Sequence, residues 1–202
     1  MITFIKYSIL IGGLFSFFCV PISIHQGIGL EEQLFVYKEL AENNDVDLIK
    51  QVMLKFNAPL STGQKSRIAE LIVKEAKLYD FDPIFVTSLI AVESSFDPHA
   101  VSDAGAVGLM QMMPFVGKAI SDQLGVEWKG MATLHNIDTN IKLGMFFLNT
   151  LSKQYDEDQM IYLAAYNFGP TFVSNKLDLG LSIPKKYAHK VLRSYLGLKS
   201  SA

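Results

Sequence analysis

The chain has 202 residues, of which 50% are hydrophobic and 19% charged; that is ample apolar material for one core and too little charge for a disordered chain. Lys and Arg total 18 against 20 Asp and Glu, a formal net charge of −2, so no global basic excess points to nucleic acid. The one cysteine, Cys19, can form neither an internal disulfide nor a thiolate metal cluster.

Residues 7–30 contain no Asp, Glu, Lys or Arg, and residues 9–20 are almost wholly apolar before Pro21. The run is shorter than the roughly 20 residues that span a bilayer. With Lys6 ahead of it, it reads as a secretory signal, which implies export to the periplasm or cell envelope. Around residues 20–23 only Ser23 is small, so an uncleaved membrane anchor is the second expectation. The expected organisation is a signal or anchor over 1–25, an N-terminal helical extension over 26–61 and the main domain over 62–202.

In the extension, Leu34, Tyr37 and Leu40 recur near helical spacing and predict one or two short helices. A Pro- and Gly-containing loop over 57–63 follows. An amphipathic helix then carries Ile68, Leu71, Ile72, Ala76 and Tyr79 on one face. Asp82-Pro83 is a helix start, with Asp as cap and Pro in the first turn. The helix over 84–94 is apolar all round, as a buried helix is. Residues 96–114 form a long connection without strand alternation. Further helices are expected over 115–124, from a cap at Asp138 to about Tyr155, over 159–166, over 171–176 and over 185–196. Asn167-Phe168-Gly169-Pro170 terminates the third of these five. The fold class is all-α.

Glu93 is the one charged residue between Asp82 and Asp97, and it ends the buried helix. A carboxylate is costly to bury unless paired or protonated. A helix C-terminus disfavours negative charge by a further ~0.3–1 kcal/mol. Both effects raise its pKa, which suits a general acid near neutral pH. A structural reading is that Glu93 simply accepts hydrogen bonds from the following turn.

The context weighs against that plainer reading. Glu93-Ser94-Ser95-Phe96 leads to Ser102 and then to Gly105-Ala106-Val107-Gly108-Leu109-Met110-Gln111-Met112-Met113-Pro114. Asn140-Ile141-x-x-Gly144 and Ala165-Tyr166-Asn167-x-Gly169-Pro170 follow in order. Together these strings resemble the soluble lytic transglycosylase family, whose fold is similar to goose-type lysozyme, over roughly residues 65–192. The resemblance implies a lysozyme-like catalytic domain that cleaves the β-1,4 bond between N-acetylmuramic acid and N-acetylglucosamine in peptidoglycan. It implies Glu93 as the single catalytic acid and base, and a 1,6-anhydro product formed by the muramic acid's own 6-hydroxyl. It places Ser102 near the scissile bond, Gly108, Gln111 and Met113 along the sugar, and Tyr166 beside the catalytic carboxylate, with Asn167 in the same substrate-binding motif.

Two positions depart from the family pattern: Phe168 stands where a small residue is usual, and only Lys185-Lys186 separate Pro184 from Tyr187. Lys185, Lys186, Lys190, Arg193 and Lys199 follow one another with no acid between them. Their plainest reading is a solvated helix face, with contact to anionic wall peptides as the alternative. No histidine spacing suits a metal, and neither metal nor cofactor is expected. The expected partner is the peptidoglycan glycan strand, with no nucleic acid. Wall turnover, an envelope-spanning secretion or conjugation complex, and a phage role all stay open. A lysozyme-type hydrolase of the same fold and a non-catalytic wall-binding protein are the alternative functions.

Overall fold

The computed structural model describes residues 30–200, and every regular element among them is an α-helix. The signal or anchor expected over 1–25 lies outside the described residues. Contacts divide the chain into two units, Met1–Ala41 and Glu42–Ala202. No helix among the described residues is long and apolar enough to cross a membrane.

The extension holds one helix, α1 (Leu30–Lys55), rather than two short ones; neither Gly nor Pro interrupts that stretch. Within the second unit its last turns bury Ile49, Val52 and Met53 in the main core. α2 (Thr62–Leu78) starts at a capping box: Ser61 Oγ accepts from the Gln64 N–H at 3.3 Å, and Gln64 Oε1 accepts from the Ser61 N–H at 2.9 Å.

α3 (Pro83–Ser94) begins as expected, with the Asp82 carboxylate accepting from the Ile84 N–H at 2.8 Å. Its Ile84, Val86, Leu89 and Ile90 are almost fully buried, each contributing about 1.5–3 kcal/mol by leaving water. The buried hydroxyls of Thr87 and Ser88 donate back to the Pro83 and Ile84 carbonyls at 2.8 and 2.7 Å. The helix can therefore be surrounded by protein without an orphaned polar group.

α4 (Pro114–Leu124) stops at Gly125, which adopts the left-handed conformation. α5 (Met131–His135) has no counterpart among the expected helices. α6 (Ile137–Gln154) is capped by Asn136, not Asp138: the Asn136 side-chain oxygen accepts from the Thr139 N–H at 3.0 Å. Asp138 sits in the first turn instead and pairs with Arg67 of α2. α7 (Gln159–Phe168), capped by Asp158, ends at Gly169 where the terminator was expected. α8 (Pro170–Asp178) and α9 (Lys186–Lys199) complete the domain.

α3 packs against α2 and α9, while α6 packs against α2 and α7. α3 and α9 run antiparallel and are pinned at both ends. At one end Tyr195 and Lys199 reach Asp82 at 2.7 and 2.9 Å; at the other Tyr187 donates to Glu93. Val107 and Met112, from the connection over residues 96–114, form a second small core with Ile120, Leu134 and Leu143. Two isolated β-bridges, Val101 with Val107 and Val107 with Met112, fold that connection back on itself.

Candidate active site

Two carboxylates mark the two ends of α3, and their surroundings push them in opposite directions. Burial alone would raise Asp82, but hydrogen bonds from Lys199, Tyr195 and the Ile84 N–H outweigh it and hold its carboxyl below the usual range. Glu93 is pushed up to about 7, chiefly by burial; the Tyr187 hydroxyl and the Lys190 ammonium offset part of that rise. The side chain stays partly exposed, so it combines low solvation with access. A carboxyl poised near 7 can give a proton and take it back at neutral pH.

The chain turns sharply just after this residue. Ser95 and Phe96 both have positive φ, 51° and 66°, a conformation that costs an ordinary residue of order 1 kcal/mol. Full burial of Phe96 and an edge-on contact with Phe56, ring centroids 5.6 Å apart, hold the turn. Ser94 Oγ donates to the Leu109 carbonyl at 2.9 Å, tying the end of α3 to the 107–112 loop.

That loop is held mainly by one buried side chain. Asn140 accepts from the Met110 N–H at 2.8 Å and donates to the Val107 and Leu134 carbonyls at 3.0 and 2.7 Å. Gly108 crosses directly over it with φ +80°; a Cβ there would collide with the Asn140 amide and the Leu134 carbonyl. Gly144 leaves room for Met110, whose Sδ would lie 2.5 Å from an added Cβ. Gly108 and Gly144 thus permit the close approach of loop and helix.

The residues singled out in the sequence fall as follows. Ser102 closes its own turn, with its Oγ accepting from the Ala106 N–H at 3.0 Å. Gln111 takes φ 47° and donates to the Gly108 and Ala100 carbonyls at 3.0 and 3.3 Å, so its amide braces the loop. Met113 precedes α4, partly exposed, while Met110 and Met112 are buried. Asn167 is exposed at the end of α7. Tyr166 donates to the Met110 carbonyl at 2.7 Å and packs on Phe147. Its pKa is raised by burial and then by the nearby Glu93 charge, so it stands in the same site. The hydroxyl bonded to Glu93 is that of Tyr187, whose pKa is likewise raised well above normal by burial and then by Glu93.

Tyr187 is the functional neighbour that sequence reasoning passed over as a landmark after Pro184. Asn140 stood in the sequence only as part of the Asn140-Ile141-x-x-Gly144 string, with no role given to it; its bonds to the Met110 N–H and the Val107 and Leu134 carbonyls supply that role. Among the described residues, no group of three or more His, Cys, Asp or Glu side chains comes together in a way that could hold a metal.

The raised pKa has a consequence for folding. Between about pH 4.5 and 7 the folded chain keeps a proton on Glu93 that the unfolded chain has lost. Stability therefore falls as pH rises through that window. Glu93→Gln removes this loss. The variant is expected to melt above the wild type at about pH 8, with the gap closing toward pH 5, as read by calorimetry. A constant gap at all pH values would show that Glu93 titrates normally.

These features define the class: an all-α, lysozyme-like domain presenting one protonatable carboxyl at the end of a buried helix. A family model described as "Transglycosylase SLT domain" matches residues 70–185, more than half of the chain, and the chain belongs to that family. It is 34% identical over 117 residues to the membrane-bound lytic murein transglycosylase C of Actinobacillus pleuropneumoniae, covering 54% of this chain and 32% of that protein. Among solved structures it resembles an inactive mutant of the lytic transglycosylase Slt from Pseudomonas aeruginosa, with TM-score 0.57 and 26% identity over 64% of this chain and 23% of that one. It also resembles the 70 kDa soluble lytic transglycosylase of Escherichia coli, with TM-score 0.61 and 21% identity over 81% and 29% of the two chains. The chain thus spans about a third of the curated relative's length.

Proposed function

We propose that the protein is a peptidoglycan lytic transglycosylase and that Glu93 is its catalytic acid and base. The observation that carries this reading is the partly exposed carboxyl held near pKa 7 and hydrogen-bonded by Tyr187. The family match and the name of the curated relative support the substrate.

A pair of carboxylates is usual for glycosidases. Here the groups acting on Glu93 are a phenol and an ammonium, not a second carboxylate, which fits a reaction in which the substrate supplies the other partner. Protonated Glu93 gives its proton to the glycosidic oxygen as the bond from muramic acid C1 breaks. The N-acetyl group assists at C1. The 6-hydroxyl oxygen then closes on C1, and the Glu93 carboxylate takes its proton. Glu93 ends as it began, no water is consumed and the product is a 1,6-anhydro sugar.

In this scheme Tyr187 steadies the carboxylate, while Tyr166 keeps the Met110 carbonyl, and with it the sugar-lining loop, in place. Ser102, Gly108, Gln111, Met113 and Asn167 border the glycan. Export to the cell envelope is part of the proposal and rests on the uncharged apolar run over residues 7–20. Fractionation of the full-length chain tests it, and recovery in the cytosol would contradict it.

The working proton must be present on Glu93, so kcat/KM is expected to fall as pH rises through about 7. Tyr187→Phe removes the hydrogen bond that favours the carboxylate. It is expected to lower turnover and to move that alkaline limb to higher pH. A limb that stays in place would remove Tyr187 from control of Glu93. The function itself is tested on purified peptidoglycan: the wild type is expected to release soluble glycan fragments and Glu93→Gln to release almost none. No release by the wild type would leave a wall-binding protein.

A further inference from the structure

His99 and His135 are far apart in the chain and meet in the fold, their ring centres 5.5 Å apart and their planes tilted by 42°. His99 is exposed and His135 half-buried. His99 belongs to the turn that follows Phe96, and its N–H donates to Asp97 Oδ1 at 2.8 Å. His135 closes α5, directly before the Asn136 that caps α6. Sequence spacing shows nothing of this contact, because it joins two elements that only the fold brings together.

The chemistry of the pair is fixed at one nitrogen. Nδ1 of His135 lies 3.1 Å from the Pro98 carbonyl oxygen. A carbonyl can only accept, so Nδ1 carries the proton, and Nε2 of the neutral ring keeps a free lone pair. A backbone carbonyl on the other nitrogen is the usual support of a metal-ligating histidine. Among the described residues, the hydrogen bonds of the pair are those of the His99 N–H and the His135 Nδ1. Nε2 of His135 and both ring nitrogens of His99 are left unengaged. The spacing also fits. Two imidazoles on one tetrahedral ion, each nitrogen about 2.0–2.1 Å from the metal, place their ring centres about 5.2 Å apart. The observed 5.5 Å is close to that, and the exposed His99 ring can turn toward the ion without unpacking a core.

We propose that His99 and His135 form a two-histidine site for a late first-row divalent cation such as Zn²⁺. The inference goes beyond the transglycosylase reading and does not depend on it. Imidazole suits Zn²⁺, Cu²⁺ and Ni²⁺, whereas Mg²⁺ and Ca²⁺ take oxygen ligands. No third His, Cys, Asp or Glu among the described residues joins the pair, so water fills the remaining positions and the ion exchanges. Glu93 is not among the ligands. The ion acts as a staple between the turn after α3 and the end of α5. The residue after His99 is Ala100, whose carbonyl accepts from the Gly108 N–H at 2.9 Å and the Gln111 amide at 3.3 Å. The tie therefore reaches the loop that borders the candidate active site.

The experiment titrates the untagged, metal-free full chain with ZnCl₂ and follows Tm by calorimetry. At a hundred-fold excess over its dissociation constant, Zn²⁺ is expected to raise Tm by about 5 °C. MgCl₂ is expected to leave Tm unchanged. His99→Ala and His135→Ala are each expected to abolish the rise, and His189→Ala, on α9, to keep it. In ¹⁵N spectra, Zn²⁺ is expected to shift Nε2 of His135 and one ring nitrogen of His99, while Nδ1 of His135 stays protonated. No saturable rise in the wild type would overturn the site. So would a rise that survives either His99→Ala or His135→Ala, or ligation of His135 through Nδ1.

Discussion

Glu93→Gln is expected to lose at least 10²- to 10⁴-fold in turnover, the range that a positioned general acid–base contributes. Glutamine matches the size of glutamate and can still accept from Tyr187, but it cannot deliver a proton. Because wild-type Glu93 holds its proton at a cost to charging rather than to packing, the substitution does not threaten the fold. The gain in melting temperature expected at high pH serves as the internal control. Lost activity in a more stable protein separates chemistry from folding. A fully active variant would remove Glu93 from the mechanism.

The second large effect is expected at Asn140, which touches no substrate in this account. Asn140→Ala strips partners from the Met110 N–H and from the Val107 and Leu134 carbonyls. The Val107 carbonyl keeps the Met112 N–H at 3.0 Å, so two buried groups are left unpaired; at about 1–3 kcal/mol for each, the cost is roughly 2–6 kcal/mol. For a domain of this size that corresponds to a drop of about 10 °C in Tm. Activity is expected to fall further than folding accounts for, measured well below the new Tm. The Met110 carbonyl anchors Tyr166 and the Leu109 carbonyl anchors Ser94, so a loosened loop disturbs both sides of Glu93. A variant that melts with the wild type would show that the apolar floor of Val107, Met112 and Leu134 suffices to hold the loop.

Much of this site was legible because a charge in the wrong place is easy to read. α3 announced itself by Asp82-Pro83 and an unbroken apolar run, and Glu93 stood out as the one charge in it. The terminator after Asn167 and the Gly125 stop were equally plain, since each depends on local backbone preference. The resemblance motifs marked the 105–114 loop and Tyr166, although Gln111 turned out to spend its amide on the backbone.

What was not legible depends on contacts across the fold. Tyr187 meets Glu93 from 94 residues away, and no spacing along the chain encodes which tyrosine reaches a carboxyl. Lys190 looked like one more cation on a solvated helix until α9 was laid antiparallel to α3. α5 is only five residues long, too short for a periodic signal. Asn136 and Asp138 are both good caps, and the choice between them was made by the turn that α5 imposes just before. α1 ran longer than expected because its polar composition hides a stretch with no helix breaker.

The most direct test of the account is mass analysis of the fragments that the wild-type protein releases from purified peptidoglycan. If the 6-hydroxyl of muramic acid closes on C1 with Glu93 as acid and base, the fragments end in 1,6-anhydro sugars. Each is then lighter by one water than its hydrolysed counterpart. Fragments carrying only reducing ends would contradict that mechanism and make the protein a hydrolase of the same fold.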